Sequence, residues 1–117
     1  MGLEIGRVYD CRGADPRNRF LVDRLWPRGV SKAEAPFEEW LRDIAPTPGL
    51  RKWYSHQVEK YPEFAARYRA ELSSGEPARL VRRLRELSAA NHVVLLTATK
   101  DLEHSSAAVI RDQLQSL

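Results

Sequence analysis

The chain has 117 residues, a length that suits one domain. Apolar residues make up 43% and charged residues 30%, ordinary globular values that exclude a disordered polypeptide. The net charge of +3 is too small to mark a nucleic-acid binder by itself.

The kind of cation is more telling, since 15 of the 19 are arginines, whose planar fork matches carboxylate and phosphate. A GC-rich genome gives the same bias, so placement is the better guide. Arg7, Arg12, Arg17, Arg19, Arg24 and Arg28 crowd into the N-terminal third, and Arg79, Arg82, Arg83 and Arg85 form a second group. No run approaches the roughly 20 apolar residues of a membrane helix. The first residues lack the basic and apolar regions of a signal peptide. Cys11 stands alone, with no partner for an internal disulfide. Together these features predict a cytoplasmic protein with no membrane partner.

In chain order, residues 5–9 read as a short strand. The next stretch, 11–18, holds Gly13, Asp15, Pro16 and Asn18 and reads as a loop. It is too short for a crossover helix, so the strands on either side should not be adjacent and parallel. Residues 19–25 read as a second strand, whose apolar centre Phe20-Leu21-Val22 suggests a covered position. Pro27 ends it. Ser31 and Glu34 have capping-box spacing, so a helical turn begins at Ser31.

Phe37, Trp40, Leu41 and Ile44 recur at helical spacing and predict a helix over 36–44, with an extended segment as the alternative because of Pro36. Thr47 and Pro48 read as the N-cap and first residue of a short helix through Trp53. Pro62 opens another, with Phe64, Tyr68 and Leu72 on one stripe, stopped near Ser74 and Gly75. Pro77 opens the next, with Leu80, Val81, Leu84 and Leu87 inward and the second arginine group outward. A buried strand over 93–99 follows. Asp101 then reads as the N-cap of a last helix that buries Val109, Ile110 and Leu114.

The expectation is one α/β domain over 1–117, a small mixed or mostly parallel sheet of three or four strands covered by helices. Open sheets of this class bind ligands beyond the carboxyl ends of their strands, which singles out segments 24–32 and 97–106.

The first segment carries Arg24, Trp26, Arg28, Ser31 and Lys32 out of a buried strand and into a helix start. Cationic forks beside free helix N–H groups suit an anion. The competing reading pairs Arg24 and Arg28 with Asp10, Asp23 or Asp43 and merely locks the loop. In the second segment Lys100 suits an anion, and His104 with Asp101 suits acid–base work; a capping Asp101 in a solvated turn is the plainer reading.

Cys11 and Arg17 have the spacing of a tyrosine-phosphatase loop, but a strand rather than a helix follows, and Pro16 removes one cradle amide. His56, His92 and His104 lie far apart in sequence, so neither a metal nor another cofactor is expected. His56 follows the short helix and stands either over a shared cleft or in a solvated loop. Trp40 and Tyr68 read as core, whereas Trp26 lies between two arginines at a strand end.

The run Leu21-Val22-Asp23-Arg24-Leu25-Trp26-Pro27-Arg28-Gly29-Val30-Ser31-Lys32 resembles the YeaO-like branch of the domain-of-unknown-function 488 family. Trp40 to Pro46, Leu50 to Trp53, Arg67 to Leu72 and Lys100 to His104 extend the resemblance over nearly the whole chain. It implies no established activity. In more distant branches the second strand also ends in aspartate, arginine and a following proline, here Asp23, Arg24 and Pro27. Those branches also carry cysteine–histidine–arginine after the last strand, where this chain has Ser105-Ser106-Ala107. The departure speaks against a cysteine nucleophile or a two-histidine metal site there.

Three function classes fit these residues. The first is an anion site of Arg24, Arg28, Lys32, Lys100 and His104 for a phosphate-bearing small molecule, with or without catalysis. The second is a nucleic-acid-binding module that uses the arginine-rich N-terminal third and Trp26. The third is a non-catalytic protein-interaction domain. Monomer and homodimer are both compatible with the sequence.

Overall fold

The computed structural model describes residues 2–116. The strands are β1 (Gly2–Arg7), β2 (Arg19–Leu21), β3 (Glu39–Trp40) and β4 (His92–Thr97); the helices are α1 (Pro48–Tyr54), α2 (Tyr61–Glu71), α3 (Gly75–Ala90) and α4 (Ser106–Gln115). All pairings are parallel, in the order β1-β4-β2-β3. As the short 11–18 loop requires, β1 and β2 are not neighbours, because β4 lies between them.

β4 is central because it is apolar on both sides. Val93 and Leu95 face one cluster with Phe20 and Val22 of the second strand region, Leu84 of α3 and Ile110 of α4. Val94 and Leu96 face the other with Val8, Leu21 and Phe37. All four helices pack on the first face. Among the described residues none of the four α-helices contributes to the second cluster, which is closed by Tyr9 from the 3-10 turn Val8–Cys11 and by Trp26, Ala35 and Trp40. Tyr68 is wholly buried, and its hydroxyl donates to the Ile44 carbonyl at 2.5 Å, so the buried polar tip is satisfied.

The structure corrects several expectations. Segment 36–44 is not a helix but extended chain followed by a 3-10 turn at Arg42–Ile44. Glu38 N–H donates to the Arg19 carbonyl and Leu41 N–H to the Leu21 carbonyl, so the sheet edge takes the backbone groups a helix would use. Helical spacing would put Trp40 and Leu41 on one stripe, yet they fall in opposite clusters.

β2 stops at Leu21, short of the expected residue 25. Val22 N–H still donates to the Leu96 carbonyl, but β4 ends at Thr97 and leaves nothing further to pair with. The helix expected from Pro77 begins two residues earlier, and its arginines do not all face outward: Arg83 forks onto Glu39, and Arg85 donates to the Gln113 carbonyl. The cap of α4 is Ser105, whose hydroxyl accepts from Ala108 N–H; Asp101 precedes a separate 3-10 turn, Leu102–His104. Thr47 caps α1 and Ser31 caps a single 3-10 turn, both as their residue types dictate.

Candidate functional site

The segments that leave all four strands meet at the carboxyl edge of the sheet and enclose a cleft of about 380 Å³. Its floor is Asp23. Where β2 leaves the ladder, the Asp23 carboxylate takes over as acceptor: Oδ1 receives the Thr97 hydroxyl at 2.7 Å and Oδ2 the Ala98 N–H at 2.8 Å. Its own carbonyl receives Trp40 Nε1–H at 2.7 Å. Burial pushes the Asp23 carboxyl above its ordinary range; the bonds from Ala98 and Thr97 and the nearby charges of His56 and Arg51 pull the other way.

Arg24, the next residue, points its guanidinium to the opposite bank of the cleft. Nε donates to the Pro46 carbonyl at 3.2 Å and Nη2 to the Ala45 carbonyl at 3.1 Å. Two donors are thus satisfied by neutral acceptors, and the positive charge is left unneutralised. Among the described residues no aspartate pairs with it, so the reading in which Arg24 locks the loop through an aspartate does not hold. Arg28 and Arg51 also line the cleft and are exposed. Among the described residues neither makes an ion pair.

Two local backbone features aim groups at this space. Gly29 (φ +80) closes the turn in which Val30 N–H donates to the Pro27 carbonyl, a conformation that a residue with a Cβ resists. After α1, Ser55 and His56 both adopt left-handed backbone (φ 45 and 56), and His56 thereby joins the cleft wall beside Tyr54. Two consecutive non-glycine residues of this kind cost about 1 kcal/mol or more each, and such strain clusters at functional sites.

Trp26, Pro27, Pro46, Tyr54 and Phe64 supply apolar wall. Trp26 is held edge-on against Phe37 and Trp40 at centroid distances of 5.2 and 5.6 Å, with Nε1–H donating to the Val30 carbonyl. Tyr54 donates to the His104 carbonyl at 2.6 Å, and its pKa is pushed up to about 12, chiefly by burial, so it stays neutral at physiological pH. Ser105 and Ser106 bring the first turn of α4 to the same space, where the helix dipole favours negative charge.

The expected set is therefore divided. Arg24, Trp26 and Arg28 line the cleft; Ser31, Lys32, Lys100, Asp101 and His104 are not among its lining residues. Asp101 and His104 do come together, with Oδ2 2.7 Å from Nδ1, on a shoulder where the imidazole meets the Tyr61 ring edge-on at 5.1 Å. Lys32 and Lys100 are exposed. Arg51 and the floor role of Asp23 escaped the sequence reading. Arg51 carries no local signal, because only the tertiary placement of α1 brings it here.

Cys11 and Arg17 fall at opposite ends of the sheet. Cys11 follows β1, while Arg17 precedes β2 and shares a second cleft with His92, which excludes a phosphatase loop. Among the described residues no group of three histidine, cysteine or acidic side chains is placed to hold a metal. No described helix is long and apolar enough to cross a membrane.

Comparison with known proteins adds the family. The model of the family described as "Inactive DUF488-N3 subclade" matches residues 2–117, and the chain belongs to that family. The chain is 36% identical to the uncharacterised protein YeaO of Escherichia coli K12 over the full length of both. It is 38% identical to an uncharacterised protein of Mycobacterium tuberculosis over 96% of this chain and 92% of the relative. No solved structure gives a significant match.

Proposed function

We propose that this member of the inactive DUF488-N3 subclade is a binding protein for a small phosphate-bearing molecule, held in the cleft at the carboxyl edge without being turned over. The observation that carries the reading is the state of the arginines. Arg24 is anchored by two carbonyls, and Arg28 and Arg51 have no carboxylate partner, so three cations surround one carboxylate in one crevice. One guanidinium fixed by carbonyls and two more with no carboxylate partner, beside the first turn of a ten-residue helix, suit an anion. The cleft volume is near the lower end of the ~300–1,000 Å³ usual for small-molecule pockets, which suits a ligand smaller than a dinucleotide.

Two things support binding without catalysis. The family description calls the subclade inactive. In this chain Ser105-Ser106-Ala107 occupies the place of the cysteine–histidine–arginine run, and Ser105 is buried with its hydroxyl spent on the Leu102 carbonyl and Ala108 N–H. The nucleic-acid reading has less support, because Arg17 lies at the far end of the sheet and is forked onto Asp15.

The test is thermal unfolding with pyrophosphate, sugar phosphates, nucleoside monophosphates and short oligonucleotides, at ionic strength matched with chloride. A ligand at about 100 times its Kd adds about 2.7 kcal/mol, a rise of about ten degrees for a domain of this size. The expected result is that rise for a small phosphate ester and its loss in a folded Arg28→Ala. Stabilisation by oligonucleotides alone, falling steeply with salt, would replace this reading with nucleic-acid binding.

A further inference from the structure

The cleft is polarised, and the polarity restricts the ligand further than its phosphate does. Asp23 sits on the floor with one bond to each oxygen, from the Thr97 hydroxyl and the Ala98 N–H. An ionised carboxylate has about four acceptor positions. About two remain, on a residue that lines the cleft. Thr99 and Ser106 line it as well.

A phosphate cannot occupy this floor, because like charges at contact repel strongly in a partly buried site. The phosphate therefore belongs with the arginines, and whatever reaches Asp23 must be a neutral donor. A carboxylate with two open acceptor positions pairs best with two adjacent hydroxyls. The apolar wall of Trp26, Pro27 and Pro46 suits the face of a ring rather than a flexible chain.

Resting on the phosphate reading above, we infer that the ligand is a phosphate ester of a ring bearing vicinal hydroxyls, the ribose phosphate unit of a ribonucleotide or a free pentose phosphate. Asp23 accepts from the diol, and Arg28 and Arg51 hold the phosphate. The buried carboxylate then has a task beyond its structural bonds. Thr97 and Ala98 take one acceptor position on each oxygen, and the charge and the remaining positions are what the diol would use.

The experiment is calorimetric titration of the full chain with four probes: pyrophosphate, ribose 5-phosphate, adenosine 5′-monophosphate and its 2′,3′-dideoxy analogue. The expected result is that adenosine monophosphate binds at least about tenfold more tightly than the dideoxy analogue, the loss expected when hydrogen bonds to a charged group go unmade. Comparable affinity for ribose 5-phosphate would assign the recognition to the sugar phosphate; a large gain from the base would assign it to the nucleotide, and either supports the inference.

In Asp23→Asn the preference for the diol should fall to within about threefold, while pyrophosphate affinity is kept or raised because a negative charge is gone. Should that variant fail to fold, the wild-type series still decides. Equal affinity for the hydroxylated and dideoxy compounds would overturn the role of Asp23 and leave the phosphate reading standing. Failure of every probe, pyrophosphate included, would overturn both.

Discussion

The two ends of the sheet treat charge in opposite ways. At the amino end, Arg17 forks onto Asp15, so opposite charges meet as an exposed pair, and His92 Nε2 lies 2.9 Å from Glu4 Oε2. At the carboxyl end, Arg24 is held by carbonyls, Asp23 by a hydroxyl and an amide, and Arg28 and Arg51 stand unpaired. An arginine forked onto a carboxylate has spent its charge locally. One fixed by neutral dipoles keeps its charge and gains a fixed geometry, and that combination prepares a site for an ion that arrives later. The difference also predicts where substitutions hurt. Exposed pairs contribute little to stability, whereas a cation that satisfies buried carbonyls is part of the fold.

The largest effect should come from Trp26→Ala. It removes the ring that packs edge-on against Phe37 and Trp40 and opens the cleft wall. Because Trp26 is half-buried, the loss should fall at the low end of the range for large aromatic truncations, about 3 kcal/mol by urea unfolding. A loss below about 1 kcal/mol would mean that the face without α-helices carries no packing load.

Next comes Arg24→Ala, which strands the Ala45 and Pro46 carbonyls in a buried segment and should cost about 1–3 kcal/mol together with all phosphate response. Arg17→Ala at the other end should cost at most about 0.5 kcal/mol. Equal losses from the two would erase the distinction between the ends.

A smaller effect follows from Asp23. Burial raises its folded pKa above the ordinary 3.8. Its contribution to stability is therefore complete below the unfolded value and declines as pH rises through the folded one. The Tm of Asp23→Asn, measured relative to wild type, should improve as pH rises from about 4 through the acid range and level off once Asp23 is ionised. A Tm difference that stays constant with pH would show that the carboxylate is not desolvated.

Most of the fold was legible because caps and periodicity are local. Thr47 and Ser31 act as caps, the stripe of Phe64, Tyr68 and Leu72 is buried, and the loop length alone separated β1 from β2. Segment 36–44 was not legible. Its apolar spacing fits a helix, and what decides against one is a non-local pairing with β2. The position of the cleft was legible as a place, the ends of β2 and β4, since that follows from sheet topology.

Its membership was only half legible. Arg24, Trp26 and Arg28 are local to the strand exit, whereas Arg51 arrives on α1 from elsewhere in the chain. Ser31, Lys32, Lys100 and His104 are near the cleft-lining residues in sequence but are not among those residues. Neighbours along a chain that is turning do not share a direction.

The most direct test of the contrast between the two ends is a charge-matched one. Arg28→Ala and Arg17→Ala each remove a single exposed positive charge, from opposite ends of the sheet. Calorimetric titration with pyrophosphate at fixed ionic strength should show affinity reduced at least about tenfold in Arg28→Ala and within about twofold of wild type in Arg17→Ala. Equal losses in both variants would mean that pyrophosphate senses only net charge, and would contradict a built anion site at the carboxyl end.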